Sequence, residues 1–209
     1  MSSILIVDDH TPVRHGIKSL LVQELPGTVF GEASDGREAL AQLRRRVWDV
    51  VSLDLSLPDV DGLELLSEIR GMYPHTSVVV VTLHPESHYA VRTLRAGASA
   101  YLTKDCPREV FVAAFRKVMS GGKYITISLA EQLASAAGPI SGQAPHEQLS
   151  NREFQVLRGI ASGKKLVELA QEMSLSIKSV STYRMRVLQK MGMQTNADLT
   201  GYALEYKLI

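Results

Sequence analysis

The chain has 209 residues, 45% hydrophobic and 22% charged, with a net charge of only +1. That balance fits an ordinary globular protein and excludes a disordered or fibrous one. No apolar run approaches the ~20 residues of a membrane span, and MSSILIVDDH turns acidic after four apolar residues with no basic start, which speaks against a secretory signal and for a cytoplasmic chain without membrane contact.

Over residues 1–120, short apolar runs alternate with helical patterns. Strands are predicted over 4–7, 28–33, 49–53, 77–82 and 98–102, and helices over 12–24, 36–46, 62–72, 86–96 and 107–119. Thr11 before Pro12 reads as a hydroxyl cap followed by proline in the first helical turn. Strict alternation of strand and helix predicts a doubly wound α/β domain, a five-stranded parallel sheet in the order 2-1-3-4-5.

Such sheets bind ligands at the carboxyl ends of their strands. Asp8 and Asp9 follow the first strand, Asp54 ends the third, Thr82 ends the fourth and Lys104 lies just past the fifth. Gathered carboxylates repel one another unless a cation sits among them, and hard oxygens suit Mg²⁺. A carboxylate can also act as a nucleophile and form an acyl phosphate. Asp54 is therefore read as a phosphoryl acceptor, with Asp8 and Asp9 holding the metal and Lys104 countering phosphate charge. The main-chain carbonyl of Ser56 would add a further metal oxygen. Asp59 and Asp61 read as loop formers or caps, His10 as a loop residue beside the site, and the single Cys106 as a partly buried thiol.

ILIVDDH, LDLSLPDVDG, VVVVTLH and AYLTKD, in that order, resemble the successive motifs of the receiver domain of two-component response regulators, over residues 3–120. The resemblance implies phosphorylation of Asp54 by a histidine kinase, an acidic pair at Asp8 and Asp9, a switch hydroxyl at Thr82, the pattern's lysine at Lys104 and an aromatic switch at Tyr101. It also implies that Thr82 moves toward the phosphoryl group and Tyr101 turns inward, remodelling the face around helix 4, strand 5 and helix 5.

Residues 121–147 read as a linker. Gly121-Gly122 ends the fifth helix, 129–137 have the composition of a short alanine-rich helix, and the Gly, Pro, Ser and Gln that follow predict a tether.

From 148 to 209 the pattern is helical throughout. Ser150-Asn151-Arg152-Glu153 is a capping box opening a helix to about 161, before Gly163. A second helix is predicted over 166–173, a turn at Ser174-Leu175, and a third helix over 177–191 capped by Ser176. Thr195-Asn196-Ala197-Asp198 opens a fourth. Helix, short turn, helix is the helix-turn-helix arrangement. Residues 149–209 carry nine Lys/Arg against five Asp/Glu, whereas 1–120 carry thirteen against fifteen, a basic block that hints at nucleic acid. In the third helix, Val180, Tyr183, Val187 and Met191, with Leu188, form the core stripe. Lys178, Ser181, Thr182, Met185 and Gln189 take the other face, flanked by Arg184, Arg186 and Lys190, bases that would hold DNA phosphates.

The run LSNREFQVLRGIASGKKLVELAQEMSLSIKSVSTYRMRVLQKMG resembles the four-helix DNA-binding domain of the LuxR/NarL class. The resemblance implies a third helix in the major groove and a fourth that supports dimerisation. Ser181, Thr182 and Met185 would contact bases, and Lys178, Arg184 and Arg186 phosphates. Lys164 and Lys165 stand where the family usually opens its second helix with Ser or Thr followed by Asn, and they too could meet phosphates.

The expectation is a response regulator that controls transcription and is not an enzyme. Its partners would be a histidine kinase, double-stranded promoter DNA and a second copy of itself. A phosphatase or phosphotransferase turning over an aspartyl-phosphate is the enzymatic rival, weakened by Ser56 standing where its general acid would be. A regulator indifferent to phosphorylation is opposed by the intact acidic pair, Thr82 and Lys104. A protein-binding adaptor is opposed by the basic recognition helix.

Overall fold

The apolar runs assemble β1 (Ser3–Val7), β2 (Val29–Ala33), β3 (Val50–Leu53), β4 (Ser77–Thr82) and β5 (Ala100–Thr103) into one parallel sheet of order β2-β1-β3-β4-β5, as the alternation predicted. The computed structural model describes residues 2–127, 129–131 and 144–209. They fall into two compact units, Met1–Gly138 and Pro139–Ile209.

In the first unit the sheet is joined through α1 (Thr11–Glu24), α2 (Gly36–Arg45), α3 (Gly62–Met72), α4 (Glu86–Arg95) and α5 (Arg108–Met119). Helices on both faces are why β1 and β3 are buried at every residue, while on edge strand β2 only Ala33 is. Ile4, Ile6, Val79 and Val81 pack against Ile17 and Leu21 of α1 and Phe111 and Phe115 of α5. The register puts Val7 opposite Leu53, Leu53 opposite Val80, and Val80 opposite Tyr101. The strands therefore end nearly level.

The parallel ladder runs one residue past those ends. Asp8 N donates to Ala33 O (3.1 Å), Asp54 N to Val7 O (2.9 Å) and Lys104 N to Thr82 O (2.8 Å). Backbone bonding thus fixes the polar residues at the carboxyl edge as firmly as the strands themselves. The loop after Asp54 folds back on itself: Ser56 pairs with Asp61, and Gly62 N donates to Leu55 O at 3.2 Å. A Cβ on Gly62 would collide with Leu55 Cα and lie 2.8 Å from Asp54 O, so only glycine admits this approach. Asp61 caps α3 through Leu63 N (2.8 Å), and Asp59 accepts from Gly36 N (2.9 Å) and Arg37 N (3.1 Å) at the start of α2. Both are caps, as read.

Some elements depart from the expectation. Thr11 is the first residue of α1 rather than its cap. His10 holds the cap position without a side-chain bond, and the Thr11 hydroxyl accepts from Arg14 Nη2 (3.1 Å). Strand β5 starts two residues late, since Ala98 N still closes α4 on Thr93 O at 3.2 Å. The first part of the predicted linker is built into the first unit: Tyr124 bridges in parallel to Ala100, and Leu129 is fully buried. Residues 129–131 are helical, and the remainder of the predicted 129–137 helix lies outside the described residues.

The second unit opens with a 3-10 turn, Pro145–Gln148, followed by α6 (Asn151–Ala161), α7 (Leu166–Glu172), α8 (Ile177–Met191) and α9 (Asn196–Glu205). Phe154, Val156, Leu157, Val180, Val187, Leu199 and Ala203 form its core. The Ser150–Glu153 capping box is complete. Between α7 and α8, Ser174 adopts a left-handed φ of 53°, and Leu175 N returns to Ala170 O at 2.8 Å. An L side chain at that angle is strained. Replacing Ser174 by glycine should therefore stabilise the second unit by about 1 kcal/mol, read as a higher midpoint for its helical transition in a circular-dichroism melt. An unchanged or lower midpoint contradicts the strain.

Candidate functional site

At the carboxyl edge two buried carboxylates, Asp8 (1% exposed) and Asp54 (3% exposed), share one ammonium. Lys104 Nζ lies 2.7 Å from Asp8 Oδ2 and 2.8 Å from Asp54 Oδ2. The Asp54 contact is a hydrogen bond. The Asp8 contact is one of charge without hydrogen-bond alignment, which leaves buried Asp8 Oδ2 without a hydrogen bond among the described residues. The other oxygens are held by main chain: Asp8 Oδ1 accepts from His10 N (2.8 Å), and Asp54 Oδ1 from Ser56 N (3.3 Å).

Burial pushes the Asp8 carboxyl above its ordinary range. Lys104 and the His10 amide offset this only in part, and the Asp54 charge adds to it. For Lys104, burial pulls the ammonium down, but Asp54 and Asp8 more than compensate and hold it up, so it stays charged. Asp9 is more exposed and pairs with His10 Nδ1 at 2.6 Å. Asp8, Asp9 and His10 bring ligand atoms within 4.8 Å of one another, so the grouping of possible donors includes the histidine that sequence assigned to the loop. One ammonium cannot neutralise these carboxylates. Excess negative charge and hard oxygens fit a divalent cation.

Thr82 is fully buried at the end of β4, and Tyr101 lies inside with its hydroxyl donating to His84 O at 2.8 Å. Burial raises the Tyr101 pKa, so the phenol keeps its proton. His84 is the residue that sequence reasoning missed. Its amide faces Thr82 Oγ1 at 3.5 Å, its Nε2 lies 3.0 Å from Ser56 Oγ, and its ring stacks on Tyr89 at 4.5 Å. The one available signal was its place directly after the VVVVTL strand.

In the second unit, α8 buries Val180, Val187 and Met191 and exposes Lys178, Thr182, Met185, Arg186 and Gln189, with Ser181 half-buried. Several bases assigned to DNA contacts have partners within the unit. Arg184 Nε donates to Asn196 Oδ1 (2.6 Å), Lys190 Nζ to buried Glu153 Oε2 (2.6 Å) and Lys164 Nζ to Glu172 (2.7 Å). Lys165 is the exposed cap residue of α7 and offers no side-chain bond there. Glu168 Oε2 accepts from its amide at 2.9 Å, which is half of a capping box.

Residues 4–116 match the response regulator receiver domain, and residues 147–203 the bacterial regulatory proteins of the luxR family. The chain is 35% identical to the response regulator UvrY of Escherichia coli (strain K12), covering all of this chain and 96% of that one. It is 34% identical to the response regulator GacA of Pseudomonas aeruginosa, covering 100% and 98%. Among solved structures it resembles RcsB from Salmonella enterica serovar Typhimurium bound to promoter P1flhDC with the phosphomimetic BeF3- (TM-score 0.61, 26% identity, 96% and 97% covered). It also resembles a LuxR-family two-component response regulator from Aurantimonas sp. SI85-9A1 (TM-score 0.58, 31% identity, 65% and 97% covered). A receiver domain joined to a LuxR-type helix-turn-helix domain defines a response regulator that acts in transcription. The chain belongs to that family, the LuxR-type response regulators.

A carboxyl raised by folding adds stability that is full below its unfolded pKa of about 3.8 and lost as pH rises through the folded value, so at neutral pH the Asp8 charge weighs against the fold. In metal-free protein Asp8→Asn should raise stability, by the roughly 0.5–2 kcal/mol that relief of a functional site brings. Mg²⁺ should raise the melting temperature of the wild type and leave that of the variant unchanged. A destabilised variant that still responds to Mg²⁺ contradicts this.

Proposed function

We propose that the chain is a phosphorylation-controlled transcription regulator whose acceptor is Asp54. The observation that supports this best is the Lys104 ammonium seated between Asp8 and Asp54, which joins the ends of β1 and β3 and the loop after β5 in one pocket. A histidine kinase donates the phosphoryl group. The Asp54 carboxylate attacks phosphorus, the new O–P bond forms as the P–N bond to the kinase imidazole breaks, and that imidazole keeps the departing electron pair.

Asp8, Asp9, Asp54 and the carbonyl of Ser56 would hold Mg²⁺, which when bound neutralises charge on the transferring oxygens. Lys104 would counter the same charge, leaving its two carboxylates to do so. Thr82 and Tyr101 are the switch: the hydroxyl turns to the new oxygens, and the phenol, which already lies inside with its hydroxyl on His84 O, keeps its hold on that turn as it shifts. The event is a local change of charge biasing a two-state element.

In the second unit, α8 enters the major groove. Thr182, Met185 and Ser181 face base edges, while Lys178, Arg186 and Lys165 reach phosphates. Lys164 and Arg184 can add phosphate contacts by leaving Glu172 and Asn196. Lys190 serves the fold instead, as the partner of buried Glu153. Two copies binding with two-fold symmetry read an inverted repeat with half-sites about 34–36 Å apart or a multiple of that. The protein works in the cytoplasm, where promoter DNA is.

Genome-wide footprints of the wild type and Asp54→Asn test this directly. Phosphorylation should strengthen wild-type binding at least tenfold and leave the variant unchanged. Equal footprints would support control without phosphate. In the same assay Lys178→Ala should lower the slope of log affinity against log salt by about one. Lys190→Ala should keep that slope and cost about 1–3 kcal/mol of stability, because the buried Glu153 carboxylate loses its only ion-pair partner among the described residues and keeps just the Ser150 amide.

A further inference from the structure

Within the first unit, α1 and α5 leave a cleft of about 380 Å³ between them, with β4 at its floor. Small-molecule sites typically measure roughly 300–1,000 Å³. Val13, Ile17 and Leu20 of α1, Val81 of β4 and Phe111 of α5 make the lining mostly apolar. Gly16, on the same face of α1, lines it too, and a Cβ there would meet no atom within 4 Å. Glycine weakens a helix interior, and neither close packing nor a left-handed backbone requires one here. Its effect is to leave the mouth of the cleft open.

The charge of the lining has one sign. Lys104 and Arg108 are its charged residues, and no acidic residue lines it among the described ones. Cys106 adds a thiol that burial and the Asp105 charge push up, so it stays neutral. The Lys104 ammonium is already engaged by Asp8 and Asp54. Arg108 is less committed: Nη2 alone is used, toward Gln23 Oε1 (3.1 Å) and Glu24 Oε1 (2.9 Å). Its other N–H groups have no partner among the described residues, and a guanidinium is a planar fork that matches a carboxylate. Glu24 is also held by Arg116 Nη2 at 2.8 Å, so Arg108 can turn toward a ligand without stranding it.

We propose that this cleft binds a small molecule with a compact apolar body and one carboxylate, the body against Ile17, Val81 and Phe111 and the carboxylate on Arg108. Burial of the body supplies affinity, and the guanidinium fixes orientation and selects for negative charge. The bound molecule also touches Lys104, whose ammonium joins Asp8 and Asp54. It therefore lies one side chain away from the strand-end site and leaves that site open. Binding here does not depend on Asp54 being the acceptor.

Cys106 is the one cysteine of the chain and lines the cleft, so it reports occupancy. Its alkylation by N-ethylmaleimide is followed by intact mass on the full chain, with 2-naphthoate as the probe. A Kd of about 0.1 mM suits a ligand this small, so about 1 mM naphthoate should slow alkylation roughly tenfold. The neutral 2-naphthamide should bind about fivefold more weakly. Arg108→Gln should weaken naphthoate by about fivefold and leave the amide unchanged, a contrast that a folding defect does not produce. Gly16→Leu fills the mouth while favouring the helix, and it should abolish protection by both probes relative to its own ligand-free rate. Alkylation untouched by naphthoate, protection that survives Gly16→Leu, or equal protection by acid and amide would overturn the proposal. So would protection that grows with protein concentration in the absence of probe, which would seat a second chain on the cleft.

Discussion

A single ammonium held between two buried carboxylates is the interaction on which the rest of this molecule turns. Lys104 draws Asp8 and Asp54 together across neighbouring strands, yet its one positive charge leaves the pocket negative. Hydrophobic burial of β1, β3 and β4 carries the cost of that arrangement, since folding energy from the core far exceeds the penalty of one unbalanced site. The pocket is consequently primed for positive charge and for a group that can take over the lysine. In the proposed function, a divalent cation and a phosphoryl group would supply both.

Rigidity and freedom are divided around this pocket in a particular way. The acidic side is fixed: ladder bonds run one residue beyond the strands, Asp61 and Asp59 cap the adjoining helices, and Gly62 closes against the backbone of Leu55. The opposite side is the turn from Thr82 to Glu86, held by side-chain bonds of 2.8–3.5 Å to His84. If Asp54 is the acceptor, a charge change there would meet little give on the first side, and displacement would fall on the second. The same turn begins α4 and touches the segment beyond α5.

Much of this was legible in the sequence, because the signals are local. The strand-end positions of Asp8, Asp9, Asp54, Thr82 and Lys104 and the Ser150 capping box each show within a few residues, and the regular alternation of strand and helix gave the strand order. What stayed hidden depends on distance along the chain. Lys190 finds Glu153 37 residues away, and Thr126 finds Glu86 40 residues away. Periodicity reports which face of a helix a residue occupies but says nothing about who waits there, so Lys190 and Arg184 read as free bases. Thr11 is a separate case: the residue that resembled a cap is the first of α1, and its hydroxyl accepts from Arg14, whose guanidinium also donates to the Asp8 carbonyl at 2.7 Å.

The most direct measurement is to treat the full-length protein with a small phosphoryl donor and Mg²⁺, trap the acyl phosphate by borohydride reduction, and map the modified residue by mass spectrometry. Reduction should convert Asp54 alone to homoserine, with the yield collapsing in Asp8→Asn and Lys104→Met. Label at another carboxylate, or full yield without Lys104, would show that the shared ammonium does not define the acceptor.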